Sequence, residues 1–125
     1  MKRILFAVIF FVSSSVWADW TLLGTGNTLN TYVDIKTIKI TDKTVKYWDL
    51  TDYKNPQTLV DKKYLSMKTQ VEINCSNDMY RRLYLVFSTE NMGYGEIVLT
   101  TEGERNYQPI APQSLMSVAQ DNLCP

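Results

Sequence analysis

Histidine is absent from this chain of 125 residues, and its charges balance, with 13 lysine and arginine residues against 13 acidic ones. Without histidine there is no Ser-His-Asp or Cys-His catalytic arrangement, and the commonest zinc ligand is missing. A balanced charge also argues against nucleic-acid binding, which uses a strongly basic surface. The sequence therefore predicts no catalytic residue, no metal site, no cofactor and no nucleic-acid partner.

Acidic residues are the remaining candidates for acid–base chemistry. Asp49 and Asp52 are close in sequence, but the spacing of a calcium loop is missing, and solvated turn charges explain them better. Catalysis by Glu72 and Glu96 stays open at this stage, because the partners of their strands are not known. The sequence offers no second feature that would favour such an enzyme.

Long apolar runs are also absent. The longest begins after Lys2–Arg3 and covers only Ile4–Val12, whereas a membrane-spanning helix needs about 20 apolar residues. Serines and the small-residue site Val16–Ala18 follow it, which is the pattern of a secretory signal peptide. We therefore expect residues 1–18 to be a signal peptide and residues 19–125 to be one exported domain, located in the bacterial periplasm or at the cell surface.

Cysteine occurs only twice, at Cys75 and Cys124. Both residues lie in the part expected to be exported, where an oxidising compartment favours a disulfide over a nucleophile or a metal pair. Neither is near the expected cleavage site, as the lipid anchor of a bacterial lipoprotein would require. The sequence thus predicts a Cys75–Cys124 disulfide and no lipid anchor.

The longest strand pattern runs over Tyr64–Cys75, where side chains alternate along the chain. Six residues share the face predicted to be buried: Leu65, Met67, Thr69, Val71, Ile73 and Cys75. The polar residues between them share the opposite face. Five other strands are predicted over residues 19–24, 29–35, 44–53, 81–89 and 94–101, with a polar loop at residues 54–63.

The end of the chain has helical character. Ser114 is a suitable N-cap, and about ten residues follow it with helical periodicity. Five of them share one side: Leu115, Val118, Ala119, Asn122 and Leu123. A helix this short is marginal alone in water, so it must pack on the sheet. The predicted fold class is α+β, with a curved antiparallel sheet of about six strands and one C-terminal helix packed on one face.

Several motifs, taken in their order along the chain, resemble the surface-adhesin protein E family. The segments that carry the resemblance are Trp20, Tyr32–Asp34, Val45–Tyr53 with Trp48 and Asp49, Ser66–Lys68, Glu72–Cys75, the Arg81–Arg82 pair, Met92–Gly93, Tyr107–Ser114 and Cys124. They span nearly the whole expected domain. The resemblance implies a curved sheet of about six strands, with the C-terminal helix held on its concave side by the disulfide.

The resemblance also implies a function. Members of this family are surface adhesins that bind host proteins such as vitronectin, laminin and plasminogen, and host epithelial cells. The leading hypothesis is therefore an exported, non-catalytic, adhesin-like protein that recognises a host or envelope protein, with extracellular-matrix or plasma proteins as possible partners. The alternative is a periplasmic small-molecule binder or an enzyme of unknown reaction, which a deep pocket with converging carboxylates would favour.

Three residues are candidates for protein binding. Arg81 and Arg82 form the only adjacent arginine pair, and arginine pairs well with acidic groups on a partner. A strand tryptophan beside lysine more often serves packing than recognition, but Trp48 would be a binding anchor if it is exposed. Because one short helix covers one face of the sheet at most, Trp48, Tyr84 and Val86 need another cover. Strong curvature of the sheet would supply it, and otherwise a second copy in a symmetric homodimer would.

Overall fold

The computed structural model describes residues 19–125, and the expected signal peptide lies outside the described residues. Seven strands and one α-helix follow in chain order: β1 (Trp20–Thr25), β2 (Leu29–Thr41), β3 (Thr44–Leu59), β4 (Lys62–Asn74), β5 (Met79–Ser88), β6 (Ile97–Glu102), β7 (Gln108–Pro109) and α1 (Leu115–Leu123). A single 3-10 turn, Asn91–Gly93, lies between β5 and β6. None of the described helices is long and apolar enough to cross a bilayer.

The strands form one antiparallel sheet in the order β1-β2-β3-β4-β5-β6. From β1 to β6 each strand pairs with the next one along the chain, so this part of the sheet is a meander. The short strand β7 pairs with Met79 and Tyr80, at the start of β5, while β6 pairs with Tyr84–Ser88. Both therefore share one edge of β5. The predicted fold class, an antiparallel sheet of about six strands with one C-terminal helix, is confirmed.

The hairpin between β3 and β4 differs from the prediction, because no polar loop separates the two strands. Val60 and Asp61 form a two-residue turn, and both have positive φ, as a type I′ hairpin requires. The register shifts between the pairs Asp52↔Ser66 and Gln57↔Tyr64. Pro56 falls in that irregular segment, where its missing N–H group interrupts no regular ladder. The predicted loop at residues 54–63 is therefore wrong.

The core lies between the sheet and α1. Its buried members come from four elements: Val33, Val45, Tyr47, Val71, Ile73 and Ala119. We call the side of the sheet that carries them the helix face, and the opposite side the outer face. Thr69, Val71 and Ile73 are buried as the alternation of β4 predicts, but Ser66 and Glu72, which were expected to face water, are buried on the outer face.

The helix is fixed at both of its ends. Ser114 is the N-cap, and its hydroxyl accepts a hydrogen bond from the Ser117 amide at 3.1 Å. At the other end a disulfide joins Cys124 to Cys75, with a Cα–Cα distance of 5.9 Å. Within the helix, the Met116 Sδ atom accepts a hydrogen bond from the Tyr47 hydroxyl at 3.6 Å. The C-terminal segment therefore crosses the helix face and returns to the end of β4.

Candidate functional site

The outer face carries a row of aromatic and charged side chains across three strands. The register places Trp48 opposite Gln70, and Gln70 opposite Tyr84. Beside this row lies a second one, in which Glu72 of β4 is opposite Arg81 of β5. Since α1 packs on the other side of the sheet, the helix does not cover these residues. Trp48 is half-buried and Tyr84 is 40% exposed.

Arg81 is held in place by three contacts. Its Nη2 and Nε atoms lie 2.7 Å and 3.0 Å from Glu72 Oε1, and Nη1 donates to the Arg105 carbonyl at 3.3 Å. The Tyr107 hydroxyl donates to the same Glu72 oxygen, and the Arg81 guanidinium stacks 4.6 Å from the centre of the Tyr107 ring. Such a charge-assisted network fixes the guanidinium in one orientation.

The pKa values of this network follow from its contacts. Burial by itself would raise the pKa of Glu72, but the hydrogen bonds from Tyr107 and Arg81 and the charge of Arg81 outweigh it, so that this pKa lies below its ordinary value. For Tyr107, burial and the hydrogen bond to the Glu72 carboxylate raise the pKa. Glu72 is therefore ionised and committed to Arg81 and Tyr107.

The structure does not bring Arg81 and Arg82 together. Adjacent residues of a strand point to opposite faces, and Arg82 lies opposite Val71, on the helix face. There its guanidinium lies 5.4 Å from the centre of the Tyr80 ring. Of the three candidates for protein binding, Trp48 and Arg81 share the outer face, whereas Arg82 belongs to a separate surface.

The helix face contains a cavity of about 340 Å³ between the sheet and the segment that includes α1. The sheet contributes polar and aromatic lining residues, among them Asp49, Tyr53 and Arg82. The helix contributes Leu115 and Met116, which make the opposite wall apolar. The cavity is thus an amphipathic site on the face away from Trp48 and Arg81, and Arg82 is the one candidate residue predicted from the sequence that lines it.

Asp49 is the buried charge of this cavity. It is only 8% exposed, and its Oδ1 atom has no hydrogen-bond partner among residues 19–125. Thr69, directly opposite on β4, also has a buried hydroxyl oxygen without a partner in that part of the chain. Burial raises the pKa of Asp49 to about 7, although the charge of Arg82 and the nearby Thr69 hydroxyl act in the opposite direction. The expectation that Asp49 is a solvated turn charge is wrong.

The alternation of buried residues along β3 indicates that Asp49 is unusual. Asp49 continues the alternation of Val45 and Tyr47, both of which are buried. An aspartate at the next inward position of such a strand is therefore expected to be buried, and buried charges are uncommon unless they are paired. The alternation within β3 is thus sufficient to single out Asp49 as an unusual residue.

The two glutamates considered for catalysis are far apart. Glu72 lies opposite Arg81, near the start of β5, whereas Glu96 accepts a backbone hydrogen bond from Thr89, just beyond the end of β5. Eight residues of extended chain separate Arg81 from Thr89, which is roughly 26 Å. Within the described residues there is also no group of three or more side chains that could hold a metal ion.

A model of the surface-adhesin protein E family matches residues 20–125 of the chain. The chain belongs to the surface-adhesin protein E family. This match covers all the described elements, from β1 to the C-terminal cysteine. It identifies the chain as a member of a family of surface adhesins, as the sequence resemblance implies. No curated protein matches the chain in sequence.

Solved structures of protein E from Haemophilus influenzae are similar in fold. Crystal form II has 14% sequence identity and a TM-score of 0.65, and the match covers 82% of this chain and 91% of that one. Another structure of the same protein has 13% identity and a TM-score of 0.61, covering 79% and 85%. Protein E from non-typeable Haemophilus influenzae has 17% identity and a TM-score of 0.60, covering 79% and 72%. At these identities the likeness supports the shared fold alone.

Proposed function

We propose that this protein is an exported, non-catalytic binding protein that recognises another protein through its outer face, in the manner of an adhesin. The observation that carries the proposal is the row on that face that α1 does not cover, where Trp48 and Tyr84 lie beside the fixed guanidinium of Arg81. Tryptophan, tyrosine and arginine are the residue types that contribute most to binding energy at protein interfaces. The family membership supports the adhesive role.

The charges of the outer face suggest an acidic partner. Lys46 and Lys68 share this face with Arg81. Lys46 lies opposite Glu72, and Lys68 lies opposite Leu50, which is two positions from Trp48 on β3 and therefore on the same face. Four acids share this face too, and each has a partner within the chain: Glu72 pairs with Arg81, Asp34 and Asp52 accept hydrogen bonds from backbone amides, and Glu102 pairs with Arg105. We propose that an acidic segment of a host extracellular-matrix or plasma protein, or of an envelope protein, pairs with Lys46 and Lys68, which form no ion pair among the described residues. Binding should weaken with added salt, because exposed charges are screened.

The proposal is tested by surface binding measurements on the oxidised domain, residues 19–125. Vitronectin, laminin and plasminogen are immobilised, and the wild type is compared with Trp48→Ala, Tyr84→Ala and Arg81→Ala. We expect each variant to bind at least fivefold more weakly to the partner that the wild type recognises. Arg82→Ala is the matched control, because it removes the neighbouring arginine from the opposite face.

Circular dichroism and the melting temperature establish that each variant is folded. Tyr84→Ala is decisive here, because Tyr84 is exposed and its loss should not disturb the Glu72 network. Unchanged binding by Trp48→Ala and Tyr84→Ala would overturn the outer-face proposal, and a loss confined to Arg82→Ala would move the binding surface to the helix face. If no host protein binds, the partner must be sought among envelope proteins.

We further propose that the protein acts outside the cytoplasm, in the periplasm or at the cell surface. The expected signal peptide and the surface-adhesin family support this location. Protease treatment of whole cells followed by fractionation distinguishes the two compartments. Degradation in intact cells indicates surface exposure, whereas protection until the outer membrane is opened indicates the periplasm.

A further inference from the structure

We infer that the cavity beneath α1 binds a small zwitterionic molecule with an apolar body, such as an apolar amino acid or dipeptide. This site is independent of the proposed protein-binding surface, because it lies on the opposite face of the sheet. Three features of the cavity carry the inference: a buried acid and an arginine that are both unpaired within residues 19–125, and an apolar wall. Each of them corresponds to one part of the ligand.

The first feature is Asp49, which supplies an acceptor inside the cavity. It is more than nine-tenths buried, it lines the cavity, and its Oδ1 atom has no partner within residues 19–125. A buried acceptor without a hydrogen bond costs free energy, more so when it is charged. A ligand ammonium group would satisfy Oδ1 with a charge-assisted hydrogen bond. Asp49 therefore selects a ligand with an amino group.

The second feature is Arg82, the exposed cation of the same cavity lining. Among the described residues its guanidinium forms no ion pair and no side-chain hydrogen bond, and its neighbour is the Tyr80 ring. Arg82 and Asp49 line the same cavity, but they do not form an ion pair with each other. A free guanidinium presents paired donors that match a carboxylate. Arg82 therefore selects a ligand that carries a carboxylate as well as an amine.

The third feature is the apolar remainder of the lining, which limits the ligand in size and polarity. Leu29 and Met67 from the sheet face Leu115 and Met116 from the helical segment. A volume of about 340 Å³ lies at the small end of the range for small-molecule sites, which is about 300 to 1,000 Å³. Such a site suits one or two apolar side chains.

The experiment is isothermal titration calorimetry with the oxidised domain and a matched set of probes. The zwitterions are L-leucine, L-phenylalanine and the dipeptide leucyl-leucine. Phenethylamine lacks the carboxylate of phenylalanine, and 3-phenylpropionate lacks the amine. We expect at least one zwitterion to bind with a Kd below about 1 mM, and at least tenfold more tightly than either phenylalanine analogue.

Two variants assign the charges. Asp49→Asn keeps the size of the side chain, and it should weaken zwitterion and phenethylamine binding at least tenfold while leaving 3-phenylpropionate unchanged. Arg82→Gln should weaken the zwitterion and 3-phenylpropionate but not phenethylamine. Ala111→Trp is a third variant, because Ala111 is an exposed member of the lining, where a large side chain obstructs the cavity without entering the core.

The result that would overturn the inference is absence of heat with every probe at 5 mM, from wild-type protein shown to be folded and oxidised. Equal zwitterion binding by the wild type and Asp49→Asn would also overturn it, as would binding that Ala111→Trp leaves intact. Because no host protein is present, these outcomes are independent of the protein-binding experiment. Either proposal can therefore fail without the other.

Discussion

Arg81 and Glu72 lie directly opposite each other on β5 and β4, and their side chains form an ion pair with an N–O distance of 2.7 Å. Tyr107 donates to the same Glu72 oxygen, so the pair also holds the segment that leads from β6 into β7. That segment continues through Ser114 into α1. The outer-face network thus helps to place the helix on the other face.

The first prediction concerns Glu72→Gln, which removes the charge and keeps the shape. We expect the free energy of unfolding at pH 7 to fall by about 1 to 3 kcal/mol, because Arg81 loses its ion pair. Since the pKa of Glu72 is lowered in the folded state, its stabilisation is present above the ordinary carboxyl pKa and is lost as the pH falls through the lowered value. Urea titrations from pH 2 to 8 measure the free energy of unfolding of both proteins, and the difference between wild type and Glu72→Gln should shrink as the pH falls.

The matched control for Glu72 is Glu102→Gln. Glu102 and Arg105 form an exposed ion pair at 3.7 Å, which is worth little. Tyr107→Phe removes one hydrogen bond and should give an intermediate loss. A Glu72→Gln variant no less stable than Glu102→Gln at pH 7 would contradict the role assigned to the network.

The second prediction concerns Asp49→Asn. In the folded state the pKa of Asp49 is raised from 3.8 to about 7, so between these values the unfolded chain releases a proton that the folded chain retains. The folded state therefore loses stability as the pH rises from 4 to 7, and the penalty is constant above that. Asparagine avoids it, and we expect a stabilisation of up to about 4 kcal/mol at pH 8.

The measurement is the melting temperature of the wild type and the variant from pH 4 to pH 8. The two curves should diverge with increasing pH and should lie close together near pH 4. Asp42→Asn is the matched control, because Asp42 lies in an exposed hairpin turn. A difference between wild type and Asp49→Asn that does not change with pH would contradict the prediction.

The third prediction concerns the disulfide. Cys75 and Cys124 are 49 positions apart, and closing a loop of this size stabilises a protein by roughly 4 kcal/mol in the chain-entropy model. We expect the double variant Cys75→Ala, Cys124→Ala to lose stability of that order in urea unfolding. Reductant should destabilise the wild type to the same extent and have no effect on the variant. Two free thiols in protein from the native compartment would refute the bridge.

The fourth prediction concerns Ser66→Ala. The Ser66 hydroxyl is fully buried, donates to the Glu90 carbonyl at 2.6 Å and accepts from the Gly93 amide at 2.9 Å. Removing it leaves two backbone groups unsatisfied, so we expect a loss of about 1 to 3 kcal/mol. Hydrogen exchange should increase mainly in residues 89–96. Ser76→Ala, in an exposed turn, is the control. Equal exchange rates in the two variants would contradict the proposal that the Ser66 hydroxyl holds the segment of residues 89–96 in place.

The fifth prediction is self-association. The homodimer expected from the sequence stays a prediction, and the exposed apolar residues of β5 and β6 are consistent with it, since Tyr84 is 40%, Ile97 63% and Leu99 43% exposed. Sedimentation velocity of the oxidised domain tests it. We expect a concentration-dependent dimer that Ile97→Lys abolishes, because the register places Ile97 on the same outer face as Tyr84. A single monomeric species at high micromolar concentration would exclude the dimer.

Local patterns were sufficient for several elements of this protein. The alternation of Thr69, Val71 and Ile73 predicts the buried side of β4, and Ser114 predicts the start of α1. Both signals depend on residues a few positions apart, so they can be interpreted without knowing the partners of a strand. The presence of only two cysteines predicts which residues the disulfide joins, because no other pairing exists.

The length of the β3–β4 hairpin and the burial of two polar residues depend on contacts between strands, which the sequence does not show. The β3–β4 hairpin is longer than predicted because Val60 adopts a positive φ, which β-branched residues seldom do and which only the paired strands impose. Similarly, the burial of Ser66 and Glu72 depends on contacts with residues more than eight positions away.

The amino-acid sequence by itself determined the approximate positions of the six main strands, the capped helix, the disulfide partners and the family. The tertiary structure decided which surface each candidate residue serves. It placed Arg81 on the outer face and Arg82 in the lining of the cavity beneath α1, and it buried Asp49 there with no partner for Oδ1 among residues 19–125. The physical reason is that alternation assigns residues to two faces, whereas only the docking of the helix determines which face becomes covered.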